Sequence, residues 1–400
     1  MSLVVYGATL SALAASARLA RLGHQVELVT GGAPLGGRWA SIEGPEGHLV
    51  DALPQLVSLP ATWRDVFKKS GAHLVTELNG AGLELVEAPP VEHRFPDGSV
   101  LQLPSERGAQ FHAVSHVFGT PAAERWRDLL DGLDTVWAAR RTFGINNPAP
   151  PVDAQGRRSL WLHRTLADLA DRLEHPQLAR LIVDLGPING THSPRAPALL
   201  GTSLVLDRTF GRWQLVDVDG HGQRASHLVD LLAARARQRG VLVVDHSTSA
   251  PALDARPHQV RSWWRRSPGP ALRPAIAHTL HDDDGTPSVR EIVEHTTDGP
   301  IITWLRPVND GVLATVHDHR RGTADITWGL APDNARAWLR RTPIIEDVPT
   351  ASACSPAGND VWAELASAAL AVYELHERIT GEDCRPTNRA FRGSRLAERP

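Results

Sequence analysis

The chain of 400 residues has almost no lysine and almost no cysteine. Lys68 and Lys69 are its only lysines, so nearly all of its positive charge is arginine. That reads first as a compositional bias and only second as phosphate chemistry. Cys354 and Cys384 are its only cysteines. They have no metal-ligand spacing and form no disulfide framework, so a reducing cytoplasm is the expected location. No run of about 18 apolar residues occurs, which excludes a transmembrane helix but not peripheral membrane contact. The apolar stretch that starts at residue 3 has no basic leader and belongs to a strand rather than a signal peptide. Charge of one sign is not in excess: a net charge of −3 argues against a nucleic-acid partner. No Ser-His-Asp arrangement and no internal repeat is visible, and the oligomeric state is not legible. What is present is a globular composition, 42% apolar and 22% charged, long enough for two interleaved domains.

The chain is organised around its first forty residues. Leu3 to Tyr6 is a short apolar run, Gly7 follows, and small residues at helical spacing run from Ala8 to Leu22. A second apolar run covers Gln25 to Val29. The order strand, turn, helix, turn, strand opens a dinucleotide-binding fold. The turn reads Gly7-Ala8-Thr9-Leu10-Ser11-Ala12. The first glycine of the fingerprint is present, with Thr9 at the second position and Ala12 at the third. A helix start of this kind offers free N–H groups to a phosphate. Thr9, branched at Cβ, is expected to obstruct that approach. The second strand is followed by Thr30 and a glycine-rich loop that contains Gly36-Gly37-Arg38.

Further on, Trp63 to Lys69 begins a helix. Strands are expected at Leu83 to Val86, His93 to Phe95 and Val100 to Leu103, the last two joined by a turn at Pro96 to Ser99. Helices are expected over Ala122 to Arg141 and Leu160 to Val183, with a proline-rich loop from Asn146 to Gly156 between them. Leu200 to Leu206 reads as strand-like. Ser226 to Arg239 is an amphipathic helix that stops at Gly240 before a strand, Val241 to Val244. Strands follow at Ala275 to His281, Val289 to His295, Ile301 to Arg306 and Val312 to His317. The last helix, Val361 to Ile379, ends at Gly381. His317 and His319 share one strand face, as two metal ligands would. No further ligand cluster completes a site, so a polar strand face is the reading and no metal is expected. Cys354 reads as a buried inert thiol. The Trp263-Trp264 and Arg265-Arg266 pairs read as a capped element end.

These stretches together resemble one family. The carriers are Val4-Val5-Tyr6-Gly7 with its helix, Pro34-Leu35-Gly36-Gly37-Arg38, Asp51-Ala52-Leu53-Pro54 with Leu59-Pro60, Phe210-Gly211-Arg212-Trp213, Gly220-His221-Gly222, and Ser355-Pro356-Ala357-Gly358-Asn359. In this order through most of the chain, they resemble FAD-dependent oxidoreductases of the phytoene-desaturase and flavin amine-oxidase superfamily. The likeness is strongest to actinobacterial phytoene dehydrogenase-like proteins. The resemblance implies an α/β fold, a Rossmann-like FAD-binding domain with an inserted α+β substrate domain. On it, residues 1–60, 213–262 and 346–384 form the FAD-binding part. Residues 61–212 and 263–345 form the substrate part, and 385–400 a fraying tail. It implies FAD as cofactor, held by Gly7, Ala8, Thr9, Leu10, Thr30, Gly36, Gly37, Arg38 and Gly358. It also implies an apolar or amine small-molecule substrate. The cofactor carries the redox chemistry in such enzymes, so no catalytic side chain is named. The substrate cavity is expected from the block Asn146 to Arg212 and the strands Ala275 to Thr327.

The departures from the family pattern are Thr9, Thr30 where an acidic residue would meet the ribose, and Leu53 at the glycine of Asp-x-Gly-Pro. The segment from Val244 to Ala255 also looks shortened. Glu27, three positions before Thr30, lies on the opposite strand face and is a poor substitute. These departures leave a second reading open: a flavoprotein fold that has lost its cofactor and serves as a binding or scaffold protein or a non-redox catalyst. Arg38 could cap a strand end or pair with a carboxylate, but in this loop phosphate contact is the favoured reading. If Arg38 meets a pyrophosphate, Arg38→Ala should weaken FAD binding by about 1.5–3 kcal/mol and leave the stability of the ligand-free protein nearly unchanged.

Overall fold

The computed structural model describes residues 2–142, 153–258, 268–282, 285–341, 348–355 and 357–385. Trp263 to Arg266 lie outside the described residues. The first layer is a four-stranded parallel sheet in the order Leu242–Val244, Val26–Val29, Leu3–Tyr6, Leu253–Asp254. Helix Leu10–Arg21 connects the parallel strands Leu3–Tyr6 and Val26–Val29 in a βαβ unit. Its sequence is mostly alanine, serine and leucine, and it is buried nearly all round. Helices His227–Gln238 and Val361–Thr380 both pack on it. Small side chains allow that close approach, and the leucines and valines of all three helices join the sheet in one core.

Helices Ala61–Lys69 and Leu74–Gly80 also pack here through Trp63, Val66, Phe67, Leu74 and Leu78. The sequence divides them off into the inserted part, but their apolar faces are covered by this core.

The second layer is a six-stranded sheet in the order Pro270–His281, Gly311–Leu330, Gly299–Val308, Arg290–Thr296, Val91–Arg94, Val100–Leu103. It is antiparallel except where Arg290–Thr296 runs parallel to Val91–Arg94. A helical cluster with its own core accompanies it, including Thr120–Arg140, Leu166–Asp171, Pro176–Val183 and Thr202–Phe210. A small sheet pairs Arg212–Asp217 with Val57–Ser58, Gly222–Gln223 and Leu83–Glu87.

Two expectations fail. Leu200 to Leu206 is not a strand. It is a 3-10 turn, Ala198–Gly201, running into helix Thr202–Phe210. Leu160 to Val183 is not one helix. Leu160 to His163 form a turn, with Trp161 at φ +50°, before helix Leu166–Asp171; the chain breaks again at Glu174, φ +47°, and restarts with Pro176 in the first helical turn. Among the described residues no helix is long and apolar enough to cross a membrane.

Candidate functional site

A cavity of about 430 Å³ opens at the carboxyl ends of the parallel strands, where open α/β sheets bind their ligands. It is lined by Tyr6 to Thr9, Val29 to Gly31, Gly36 to Arg38, Asp245 to Ser247 and Glu364, among others. Gly7, at φ +125°, lies so close to the next strand that a Cβ would stand 2.9 Å from the Ala255 carbonyl. The glycine pair is needed for a similar reason. A Cβ on Gly36 would meet Val229 Cγ1 at 2.3 Å and one on Gly37 would meet Thr9 Cα at 3.3 Å. Only a loop without side chains passes between those two helices.

Thr9 lines the cavity but turns its hydroxyl away from it. Oγ1 accepts from Ala12 N (3.1 Å) and donates to the Ala255 carbonyl (2.8 Å), so the residue caps helix Leu10–Arg21. Ala8 and Thr30 line the cavity. Leu10 does not, because its side chain is fully buried in the core. Gly358 does not either. The space where its Cβ would stand is filled by the Arg140 guanidinium, 2.8 Å away. Arg140 is itself buried and held by Thr202 Oγ1 (2.7 Å) and the Ala357 carbonyl (2.9 Å). Burial lowers its pKa to about 10.

Two carboxylates that the sequence did not single out stand in the cavity wall. Asp245 follows strand Leu242–Val244, and Thr30 Oγ1 donates to its Oδ1 at 3.3 Å. The neighbouring strand thereby supplies the acidic group that Thr30 lacks. The segment after Val244 does not close the site. The Tyr6 hydroxyl donates to the carbonyls of Ser247 (2.8 Å) and Ser249 (3.0 Å) and holds that segment along the rim. Glu364, in the first turn of helix Val361–Thr380, is the second. Its Oε1 accepts from Arg38 Nε (3.0 Å), Arg38 Nη2 (2.8 Å) and Trp39 Nε1 (2.8 Å). Arg38 also donates to the Asn359 carbonyl. The arginine expected to meet a phosphate therefore already holds an anion, and both side chains are largely buried, at 10% and 3% exposure.

The Asp51 to Pro54 stretch lies between this cavity and the second sheet. The gap there is only about 30 Å³ and is bounded by Arg38, Trp39, Leu53 and Val361 among others. Asp51 accepts from Ala225 N (2.6 Å) and Ser226 N (3.3 Å) at the start of helix His227–Gln238, and burial raises its pKa. Asp51→Ala should cost about 1–2 kcal/mol of stability by orphaning those donors. Asp51→Asn should cost less than Asp51→Ala, since it keeps an acceptor for those donors and loses only the carboxylate charge that faces buried Arg306. Denaturant titration of both variants checks this, and equal losses would show that the charge itself matters.

The buried face of the second sheet carries Trp304, Thr315 and His278 side by side on three strands. Gln55 Nε2 donates to Thr315 Oγ1 (2.9 Å), and His278 Nδ1 lies 3.1 Å from the same oxygen. Gln55 Oε1, His278 Nε2 and Trp304 Nε1 have no hydrogen-bond partner among the described residues. His317 and His319 share this face but are buried, not part of a solvated polar face. His317 Nε2 donates to the Ala52 carbonyl (3.0 Å) and His319 Nδ1 to the Pro187 carbonyl (3.2 Å). Burial lowers their pKa values to about 3 and about 4. Cys354 is buried as expected, and burial pushes its thiol up to about 11.

Comparison with known proteins gives relatives in sequence and in fold. No family model matches the chain. It is 29% identical over 180 residues to a phytoene dehydrogenase of Streptomyces griseus, covering 44% of this chain and 31% of that one. It is 35% identical over 218 residues to a 4,4'-diapophytoene desaturase of Staphylococcus aureus, covering 53% and 42%. The matches thus span less than half the length of these curated relatives. In fold it is similar to cyclohexylamine oxidase from Brevibacterium oxydans, with a TM-score of 0.60 at 12% identity over 94% of this chain and 99% of that one.

Proposed function

We propose that this chain, a member of the phytoene desaturase and flavin amine oxidase superfamily, is an FAD-dependent oxidoreductase acting on an apolar substrate. The observation that carries this reading is the cavity at the strand ends with the Gly36-Gly37-Arg38 loop across it. On this reading Gly7 and Gly37 admit the cofactor's phosphates to the helix start. Asp245 and Thr30 would accept hydrogen bonds from the ribose hydroxyls, and Arg38 would be the cation available to the pyrophosphate. When bound, FAD supplies a hydride acceptor at its ring. The protein's part is then to orient the substrate carbon and exclude water. On this reading the substrate would lie towards the buried face of the second sheet, where Trp304 and Ile302 are packed core residues. Gln55, Trp304 and His278 offer polar atoms to one polar group of a bound substrate. The names of the sequence relatives favour a long apolar hydrocarbon, and that of the structural neighbour a small amine. Two unpaired cysteines suit the cytoplasm.

A second reading has its own support. Arg140 fills the space at Gly358, and the gap beside Leu53 holds only about 30 Å³. Both favour a protein that keeps the nucleotide cavity but not the flavin-ring site. The absorption spectrum of the purified protein separates the two. Flavin bands, present at once or after FAD is added, are expected. A colourless protein that shows no heat on titration with FAD would replace the oxidoreductase reading with the cofactor-free one.

A further inference from the structure

The Arg38–Glu364 pair bears on which ligands the cavity accepts. Glu364 is 2% exposed and lines the cavity wall while engaging three donor N–H groups of Arg38 and Trp39. Arg38 lies over the Trp39 and Trp328 rings, with its guanidinium carbon 4.9 and 5.7 Å from their centres. The guanidinium is therefore both neutralised and clamped before any ligand arrives. A pyrophosphate entering this end meets a carboxylate as well as a cation, in a poorly solvated site where like charges repel strongly. To use Arg38 it must share it with Glu364 or displace Glu364. Displacement leaves that carboxylate with only Trp39 Nε1 and the distant Ser11 hydroxyl at 3.4 Å. The opposite end of the cavity, at Thr30 and Asp245, carries no such competition.

We propose that Glu364 is a specificity-determining residue, an internal anion that competes with pyrophosphate for Arg38 and so penalises nucleoside diphosphates and dinucleotides relative to a bare nucleoside. This rests on the nucleotide reading of the cavity and adds a rank order of ligands to it.

The test is calorimetric titration of the wild-type protein and Glu364→Gln with adenosine, ADP and FAD. Glutamine keeps an acceptor for Trp39 and Arg38 but removes the competing charge. In the wild type, ADP should bind no more tightly than adenosine. In the variant, ADP and FAD should each bind at least tenfold more tightly than in the wild type, and adenosine within about twofold of it. The wild-type comparison stands even if the variant does not fold. ADP binding tenfold or more above adenosine in the wild type, or no gain for ADP and FAD in a folded Glu364→Gln, overturns the proposal and leaves the nucleotide cavity standing. No heat with any of the three ligands in the wild type overturns the nucleotide reading and the proposal with it.

Discussion

Arg38→Ala should cost the ligand-free protein about 3–5 kcal/mol of folding stability, the penalty for stranding one partner of a buried ion pair. Glu364 would be left charged in the interior, with Trp39 Nε1 as its main remaining donor. The Asn359 carbonyl, which now accepts from Arg38, would lose that bond as well. From sequence, phosphate contact with a nearly unchanged ligand-free protein is the favoured reading and pairing with a carboxylate the alternative; the Glu364 pair favours the alternative. Urea unfolding of wild type and variant without ligand checks it, and a loss below about 1 kcal/mol would mean the pair is dispensable. Replacing both partners, as in Arg38→Met with Glu364→Leu, should recover most of the stability, because no unpaired charge then remains.

Acidification should be the second large effect. His317 and His319 are neutral in the folded state, with pKa values lowered to about 3 and about 4, against 6.5 for a free imidazole. Their contribution to stability is therefore fully present above pH 6.5. It is lost as the pH falls towards the folded-state values, because the unfolded chain takes up protons that the folded chain refuses. Each such group changes stability by about 1.4 kcal/mol per pH unit, so the two together should remove about 5 kcal/mol between pH 6.5 and 4.5. Asp207 works in the opposite sense. Burial raises its carboxyl to about 7, so the folded state takes up that proton first and gains from acidification. The comparison that isolates the histidines is wild type against His317→Asn with His319→Gln, unfolded by urea at pH 7 and at pH 4.5. The double variant should be less stable at pH 7 but lose far less on acidification. Equal losses would show that these imidazoles are protonated in the folded protein.

The parts legible in the sequence are those set by neighbours in the chain. Leu3 to Val29 is read correctly as strand, helix, strand, because apolar spacing, Gly7 and Gly23 are local signals. The helix before Gly381 is read for the same reason, and Gly381 adopts the left-handed cap that its position requires. Leu200 to Leu206 fails because a short apolar run suits a buried helix as well as a strand, and only packing decides between them. The site divides in the same way. The need for glycine at 36 and 37 shows in the loop's own sequence, although Val229 and Thr9, which impose it, lie elsewhere.

What the sequence by itself determined is that this chain builds a Rossmann-like α/β layer with a glycine loop at its mouth. Which groups face the cavity was decided only by the tertiary structure. Asp245 stands beside Thr30 because two parallel strands end together, 215 residues apart in the chain. Glu364 reaches Arg38 across 326 residues because helix Val361–Thr380 packs against Leu10–Arg21 and brings its first turn to the loop. An ion pair of that separation leaves no local pattern, since neither residue's neighbours constrain the other. It arises from the close packing of two helices whose small side chains, spread over distant parts of the chain, let their ends meet.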